Sequence, residues 1–304
     1  MNFSRRDFLR NASASVALAS LLPNSVFSQE TKAKRPLKKG YMMNTFPEKG
    51  NFSLLDKFKL LKEAGFDGAE PPSHLNQKEV LAARDATGLE IPSVTSGTHT
   101  RAMSQPAPAL QQQGTDGLMQ ALRDAKAYGA SSVLCVPGVV DEKMTYADTH
   151  QRTHDAIKKA VPLAEELGVK IALENVWNHF LLSPLEMARF IDDFKSPAVA
   201  AHFDIGNVMS IGWPEHWIRI LGKRIAKVHV KEFSRKKMSS QGMRNGFSVD
   251  YLEGDNDWPS IMKAIDEVGY KGWFIAEPAY RPPNVETGER LKQIAQRMDK
   301  IFSM

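Results

Sequence analysis

The sequence is poor in cysteine, with Cys135 as the only one among 304 residues. A single thiol excludes a disulfide bond within the chain and any zinc site built on several cysteines. Cys135 lies in the apolar stretch SSVLCVPG, which predicts a buried and chemically inert thiol. Any metal-binding or catalytic group is therefore expected among the other side chains.

The chain also lacks a long basic block and a long apolar run. Its formal net charge of +5 comes from 40 basic and 35 acidic residues spread along the sequence. This distribution does not indicate a nucleic-acid partner, which usually requires a clustered basic surface. The apolar run at residues 12–27 contains Pro23 and is too short and too polar for a permanent membrane helix. With 42% hydrophobic residues, the chain can bury a substantial single core.

The first 37 residues differ in character from the rest of the chain. The stretch SRRDFLR at residues 4–10 matches the twin-arginine export pattern, and an apolar region with small residues follows it. We therefore expect a twin-arginine signal peptide over residues 1–28 and a polar tether over residues 29–37. This predicts an exported, periplasmic protein without a membrane anchor; an ordinary basic first helix is the alternative.

Beyond residue 37, short apolar segments alternate with segments of helical periodicity. The eight predicted strands are Lys39–Asn44, Phe66–Glu70, Ile91–Ser96, Ser131–Pro137, Lys170–Asn175, Val199–Ile205, Ile225–Val230 and Trp273–Glu277. In the intervening segments, such as LLDKFKLLKEAG, apolar residues recur at intervals of three and four. This alternation predicts an α/β fold, a single (β/α)8 TIM barrel that forms a catalytic domain over residues 38–304. A doubly wound open sheet is less favoured, because no GxGxxG motif follows a strand.

Four successive predicted strands carry a residue that can bind a metal ion at or near their ends. Strand five ends with Glu174, strand six with Asp204 and strand eight with Glu277, while strand seven contains His229. Parallel strands of a barrel end at one mouth, where three carboxylates would repel one another without a cation. We therefore predict one divalent metal ion bound by these four residues. Three oxygen ligands and one nitrogen favour Mn²⁺, with Mg²⁺, Co²⁺ and Zn²⁺ as alternatives.

Taken singly, each of these four residues also has a structural explanation. A glutamate at a strand end is usually solvated, and Asp204 could cap a helix or shape the turn at Gly206. His229 could be a hydrogen-bonded histidine of the core. The prediction of a metal site therefore depends on the four residues converging.

Six short motifs give the chain a resemblance to a known family. They are GFDGAE at 65–70, LEN at 173–175, FDIGN at 203–207, VHVKEF at 228–233, EGDNDW at 253–258 and AEP at 276–278. With them, the chain resembles the xylose isomerase-like barrels of the sugar phosphate isomerase and epimerase family, of the D-tagatose 3-epimerase and hydroxypyruvate isomerase types. The resemblance implies that Glu174, Asp204, His229 and Glu277 hold the metal. It also implies that the two glutamates act as acid and base.

The resemblance also implies one substrate contact, and the chain differs from the family pattern at two positions. An arginine six residues after the metal histidine often holds the substrate, and Arg235 stands there. The family commonly has a histidine three residues after the metal aspartate, where this chain has Asn207. A second acidic residue often follows the first glutamate by six positions, where this chain has Phe180. The change at Asn207 weakens the assignment as a simple epimerase.

Four further residues are candidates for contact with a substrate. Lys231 follows strand seven and could stabilise an enediolate, or it could be a solvated charge of the rim. His99 follows strand three at the same end of the barrel. Trp177 could stack on a sugar or pack against the protein. Glu70 ends strand two and could line the floor of the pocket or pair with a basic residue.

Together these features predict a metal-dependent isomerase or epimerase of a keto-sugar. Glu174 and Glu277 would transfer a proton next to the keto group through an enediolate that the metal stabilises. Two alternatives stay open: a lyase that eliminates a group from a 3-keto-glycoside, and a non-catalytic sugar-binding protein. A nuclease is disfavoured, because Asn207 and Val230–Lys231 replace histidines of that class. The sequence leaves the oligomeric state open, a homo-oligomer included.

Overall fold

The computed structural model describes residues 35–304, and the predicted signal peptide and most of the predicted tether lie outside this range. The last tether residues contact the domain. The Nε atom of Arg35 donates a hydrogen bond to Asp266 Oδ1 over 2.9 Å, and Leu37 packs against the core. No helix within residues 35–304 is long and apolar enough to cross a membrane.

The described chain forms the eight-stranded parallel barrel that the sequence predicts. In chain order, β1 to β8 are Lys38–Met42, Gly68–Glu70, Val94–Thr95, Ser132–Cys135, Lys170–Glu174, Val199–Asp204, Ile225–Val230 and Trp273–Ala276. Neighbouring strands pair in parallel in the order β2-β1-β8-β7-β6-β5-β4-β3. Short bridges between Gly68 and Glu90 and between Pro72 and Thr95 join the segments of β2 and β3. These bridges bring the two ends of the sheet together, as a barrel requires.

Eight principal helices follow the strands in turn. In chain order, α1 to α8 are Leu54–Ala64, Gln77–Thr87, Pro108–Tyr128, Tyr146–Leu167, Pro184–Asp192, Pro214–Leu221, Trp258–Glu267 and Thr287–Phe302. Capping side chains and glycines determine where these helices begin and end. Ser53 and Asp56 form a capping box at the start of α1, and Gly65 ends that helix in the left-handed conformation with φ 92°.

Helix α3 starts at Pro108, nine residues before the segment GLMQALRDAKAYG that indicates it in the sequence. The helix contains two glycines, Gly114 and Gly117. A Cβ atom at Gly117 would lie 2.7 Å from His99 Cβ, and one at Gly114 would lie 2.6 Å from the backbone nitrogen of Met103. These glycines therefore allow the loop after β3 to pack directly on the helix.

The inside of the barrel is polar over much of its height. Lys227, His229 and Lys231 alternate with Val228 and Val230 along β7 and just beyond it, and all five are buried. Alternate residues of a strand face opposite sides of the sheet. The two valines belong to the hydrophobic core, whereas the three polar residues reach polar groups on other strands or directly next to them. The core between strands and helices thus supports a charged interior.

Cys135 is fully buried on β4, as the sequence predicts. Burial raises the pKa of its thiol to about 12. The thiolate is therefore scarce at neutral pH, and the side chain acts as a small apolar residue of the core.

A buried ion pair connects the long segment after β7 to helix α8. Arg290 donates through both terminal nitrogens to Asp250, with N–O distances of 2.6 and 2.9 Å. Arg290 is 3% exposed and Asp250 is 6% exposed. We expect Asp250→Ala to lower the free energy of unfolding by about 3–5 kcal/mol, because it leaves the guanidinium buried and unpaired.

Chemical denaturation of the purified protein measures this loss directly. Asp255→Ala, which removes a carboxylate from the same segment but leaves the buried pair intact, is the matched control. A loss no larger than that of the control would contradict a stabilising role for the pair.

Candidate functional site

The four strand-end residues predicted to bind a metal converge at the carboxyl-terminal mouth of the barrel. One ligand atom from each of Glu174, Asp204, His229 and Glu277 lies within 4.8 Å of the others. We call this group the mouth cluster. His229 Nδ1 is 3.1 Å from Glu174 Oε1 and 2.9 Å from Glu277 Oε2. The glutamate side chains are 7% and 15% exposed, and the other two members are fully buried.

Strand pairing accounts for this convergence. Asp204 on β6 pairs with His229 on β7, and Glu174 on β5 pairs with His202 on β6. Asn175 then ties the ends of β5 and β6 together. Its side chain donates to the carbonyl of Asp204 and accepts from the amide of Asp204, each over 2.8 Å. The side-chain amide of Asn175 thus fixes the spacing between the ends of β5 and β6.

The two carboxylate oxygens of Asp204 have different surroundings. Its Oδ1 accepts a hydrogen bond from the backbone of Asn207 over 2.7 Å and so caps the short helix Ile205–Val208. Its Oδ2 faces the mouth cluster. Capping leaves one oxygen available and holds it in place.

Lys231 is part of this site and not a solvated charge of the rim. Its Nζ lies 2.7 Å from Glu277 Oε1 and 3.0 Å from Asp204 Oδ2. It also donates to Asn207 Oδ1 over 3.2 Å. Attraction to Asp204 and Glu277 outweighs burial and raises the pKa of this ammonium. Lys231 therefore brings a permanent positive charge to the cluster.

The surroundings separate the pKa values of the carboxyl groups. Burial raises the pKa of Glu174, and it raises the pKa of Asp204 to about 8. At Glu277 the effect of burial is outweighed by Lys231 and His229, which hold its pKa below the usual range. The positive charges of Lys231 and His229 are therefore too few for all three carboxyl groups to ionise easily.

The donor set fits a divalent cation. Asp204 Oδ2 and Glu277 Oε2 are buried, and neither has a hydrogen-bond partner in the described part of the chain. Lys231 and His229 lie near these oxygens but outside hydrogen-bond geometry. Three carboxylates and one imidazole are ligands that Mn²⁺, Mg²⁺, Co²⁺ and Zn²⁺ all accept. Bound metal would satisfy the two oxygens and relieve the repulsion.

A cavity of about 710 Å³ opens above the mouth cluster. We call it the central cavity. It lies within the size range of pockets that hold small-molecule ligands, roughly 300–1,000 Å³. Glu174, Glu277, Lys231, Asn207 and Trp177 line it, so five of the predicted site residues border one space. A ligand in this cavity would reach both glutamates and the ammonium of Lys231.

Trp177 forms part of an aromatic wall of the central cavity. Its indole packs on Phe247 with a centroid distance of 4.8 Å, and its Nε1 donates to the carbonyl of Asn207 over 2.8 Å. The Nζ of Lys231 lies 5.4 Å from the centre of the Phe247 ring. Trp177 thus packs against the protein and borders the ligand space at the same time. Flat aromatic surfaces of this kind suit the apolar face of a sugar ring.

Three of the predicted substrate-contact residues lie outside the central cavity. Arg235 donates to the carbonyls of Met209 and Gly212 over 3.0 and 2.5 Å, and so connects two loops. His99 stacks on His74 at 3.8 Å in a separate surface cleft. Glu70 lies inside the barrel, on the side of His229 that faces away from the mouth cluster.

Sequence reasoning missed several residues that line the central cavity. Arg101 from the loop after β3, and Arg244 and Phe247 from the loop after β7, border it together with Asn44. Both arginines are exposed, and neither makes an ion pair with another described residue. Basic and aromatic residues of long loops give no distinctive sequence signal, because solvated loops contain the same residue types.

A parallel eight-stranded barrel with carboxylates and an imidazole at its carboxyl-terminal mouth defines the class: a (β/α)8 barrel with a metal-capable site. Residues 58–301 match the xylose isomerase-like TIM barrel family. The match covers most of the chain, and the protein belongs to this family. The resemblance stated from the sequence is confirmed at this level.

Curated relatives include inosose dehydratases. The inosose dehydratase of Serratia proteamaculans is 25% identical over 245 residues, which cover 72% of this chain and 80% of that protein. An uncharacterised protein of Methanocaldococcus jannaschii is 23% identical over 261 residues, which cover 79% of this chain and 84% of that protein.

Solved structures with the same fold include sugar epimerases. The 3-keto-D-glucoside 4-epimerase of E. coli aligns with a TM-score of 0.70 at 16% identity and covers 87% of this chain and 98% of its own. The D-allulose 3-epimerase of a Methylomonas species aligns with a TM-score of 0.72 at 17% identity, with coverage of 88% and 98%. At these identities the likeness concerns the fold.

Proposed function

We propose that this protein is a divalent-metal-dependent isomerase or epimerase that acts on a keto-sugar. The observation that carries the proposal is the mouth cluster, where Glu174 and Glu277 meet an imidazole and an ammonium at the floor of the central cavity. Two carboxylates are unnecessary for binding a neutral sugar, but they suit proton transfer. Sugar epimerases and inosose dehydratases among the similar proteins support a carbohydrate substrate.

The proposed reaction breaks a C–H bond next to the carbonyl of the substrate. One of Glu174 and Glu277 takes the proton, and the electron pair moves to the carbonyl oxygen to give an enediolate. A divalent cation held by the mouth cluster would polarise this carbonyl and favour the developing negative charge. Lys231 offers a positive charge to the same oxygen. Each carboxylate has two oxygens, so one can hold the cation while the other handles the proton.

The second proton transfer decides the product. If the other glutamate returns a proton to the same carbon from the opposite face, the centre is inverted and the reaction is an epimerisation. If the proton goes to the former carbonyl carbon, the carbonyl moves along the chain and the reaction is an isomerisation. Both outcomes use the same two residues.

A second candidate is elimination from a keto-glycoside or a cyclic keto-polyol. The same proton abstraction can form a C=C bond while a C–O bond breaks on the next carbon. The leaving oxygen then needs a proton, which the second glutamate in its protonated form would supply, because Glu174 and Glu277 both line the central cavity. Asn207 at the position commonly held by histidine and the similarity to inosose dehydratases favour this reading. A cavity of about 710 Å³ is also large enough for a substituted sugar.

Incubation of the Mn²⁺-loaded protein with a panel of keto-sugars and 3-keto-glycosides tests these candidates. A new isomer or epimer with the aglycone retained supports the first candidate. Release of the aglycone or of water supports elimination. If sugars bind in the central cavity but none is converted, the protein is a non-catalytic sugar-binding protein and the proposal is wrong.

We also propose that the protein is exported through the twin-arginine route. Replacement of both Arg5 and Arg6 by lysine is expected to prevent export, because the pattern requires the arginine pair. Cell fractionation of the producing bacterium followed by immunoblotting measures the periplasmic fraction. Arg10→Lys, which keeps the pair, is the matched control and should export normally. Unchanged export of the double variant would contradict this route.

A further inference from the structure

A second group of polar side chains lies inside the barrel, next to the mouth cluster. It consists of Glu70 on β2, Ser93 before β3 and His202 on β6, and each is fully buried. We call this group the inner network. None of its members lines the central cavity, and the proposed reaction does not use them directly.

Glu70 connects the inner network to His229. Its Oε2 lies 2.8 Å from His229 Nε2, and its Oε1 accepts a hydrogen bond from the hydroxyl of Ser93. Both carboxylate oxygens are therefore held by described partners. The other ring nitrogen of His229, Nδ1, faces Glu174 and Glu277. The imidazole thus spans the distance between the inner network and the mouth cluster.

The tautomer of a neutral imidazole depends on the partners of its two nitrogens. A carboxylate can only accept a hydrogen bond, and carboxylates face both ring nitrogens of His229. A cation held by the mouth cluster would take the lone pair of Nδ1, and Glu70 would then hold the proton on Nε2. The lone pair is then on Nδ1, the atom that points to the mouth cluster. In metal sites this arrangement orients the ligand ring and makes it a better donor.

His202 lies next to Glu70 but forms no hydrogen bond with it. Its Nε2 lies 3.8 Å from Glu70 Oε1, and its ring meets the ring of His229 edge-on with a centroid distance of 4.2 Å. Neither of its nitrogens has a hydrogen-bond partner among residues 35–304. Glu70 is then the one acceptor of the inner network within hydrogen-bond distance of His229.

We propose that Glu70 is a positioning residue that fixes the tautomer and the orientation of His229 for metal binding. The inference rests on the metal site of the proposed function, but it does not depend on which sugar reaction follows. It gives Glu70 a role different from the substrate contact expected from its place at the end of β2. The alternative is that the side chain only fills space and balances charge in the barrel interior.

Mn²⁺ binding to the wild-type protein and to Glu70→Gln, measured by isothermal titration calorimetry, tests the inference. Glutamine keeps the size of the side chain but replaces the charged acceptor by a weaker neutral one. We expect roughly a 10- to 100-fold loss of Mn²⁺ affinity, as observed when carboxylate partners of metal-bound histidines are removed. Glu232→Gln is the matched control, because Glu232 is also a buried carboxylate next to the barrel but bonds Trp258 and Leu252. This control should bind Mn²⁺ within about twofold of the wild type.

Thermal unfolding of the metal-free variants shows whether each one is folded. If Glu70→Gln does not fold, Ser93→Ala replaces it, because this variant frees one oxygen of Glu70 and should weaken Mn²⁺ binding several-fold. The ¹⁵N chemical shifts of His229 in the Mg²⁺-loaded protein give a second readout, since they report which nitrogen carries the proton. At equal Mg²⁺ concentration, a protonated Nε2 in the wild type and a mixture of bound and free His229 signals in the variant support the inference.

Three results would overturn it. One is a folded Glu70→Gln variant that binds Mn²⁺ as tightly as the control. Another is a stoichiometry of two ions per chain, which would indicate that Glu70, His202 and His229 hold a second ion instead of orienting the first. The third is a wild-type protein that binds no divalent ion. In contrast, tight Mn²⁺ binding without conversion of any keto-sugar would reject the proposed function and leave the role of Glu70 intact.

Discussion

Glu277→Gln is expected to reduce the turnover of a keto-sugar on the order of 10³-fold or more. The substitution keeps the shape of the side chain but removes its ability to accept a proton. It also removes negative charge from a group that lies 2.7 Å from Lys231 Nζ and 2.9 Å from His229 Nδ1. The variant therefore loses proton transfer and part of the metal affinity together. Steady-state kinetics with an added excess of Mn²⁺ separates these two effects.

Glu253→Gln is the matched control for this prediction. Its carboxylate lies on the segment after β7, is 56% exposed and pairs with Arg297 on the surface. The control should keep wild-type turnover. If Glu277→Gln stays within tenfold of the wild type at saturating Mn²⁺, Glu277 is not a proton-transfer residue.

The second large effect is expected from Asp204→Asn, which should lower the affinity for Mn²⁺ by about 10²-fold or more. Asparagine can still accept the hydrogen bond from Asn207 that caps the short helix, so the local fold should persist. It cannot supply the anionic oxygen that faces the mouth cluster. Mn²⁺ titration followed by calorimetry measures the loss. Affinity equal to that of the wild type would place the bound ion elsewhere.

The raised pKa of Asp204 predicts how the stability of the metal-free protein depends on pH. Burial raises its pKa from 3.8 to about 8, so the folded chain binds a proton that the unfolded chain releases. Between pH 4 and pH 8 the folded state therefore holds more protons, and the free energy of unfolding falls as the pH rises. Denaturation of the chelator-treated protein at several pH values should show this fall. Asp204→Asn should flatten it, and an equally steep fall in the variant would contradict the assignment.

The fold and the mouth cluster could be predicted from the sequence because both follow from short-range patterns. The eight apolar segments with intervening amphipathic helices determine a parallel barrel, and the prediction of that fold is confirmed. Parallel strands then bring their carboxyl ends to one mouth. Glu174 and Asp204 close their strands, Glu277 directly follows β8, and His229 lies one residue before the end of β7.

The positions of loop residues could not be predicted in this way. Arg235 lies only four residues after Lys231, yet it begins the short helix Arg235–Gln241 and bonds two loop carbonyls instead of facing the cavity. His99 follows β3 by four residues, but its place is determined by stacking on His74 and by its close approach to Gly117. Such orientations depend on contacts between distant segments.

The height of a side chain along the barrel axis also could not be predicted from the sequence. Glu70 ends β2 just as Glu174 ends β5, yet it contacts the far side of the His229 ring. Barrel strands are tilted and staggered, so equal positions along two strands need not lie at the same height. Only the three-dimensional arrangement separates a residue proposed to hold the metal from one proposed to orient a ligand.

Hydrogen exchange between substrate and solvent tests the central claim most directly, because epimerisation, isomerisation and elimination all begin by breaking a C–H bond next to a ketone. The measurement is the incorporation of deuterium from D₂O into a panel of keto-sugars by the Mn²⁺-loaded protein, followed by NMR. We expect deuterium at the carbon next to the carbonyl for epimerisation or isomerisation, and loss of that C–H signal with formation of a C=C bond for elimination. We also expect both changes to be lost in Glu174→Gln and Glu277→Gln. Binding of keto-sugars in the central cavity with neither exchange nor loss of that C–H bond would contradict the account.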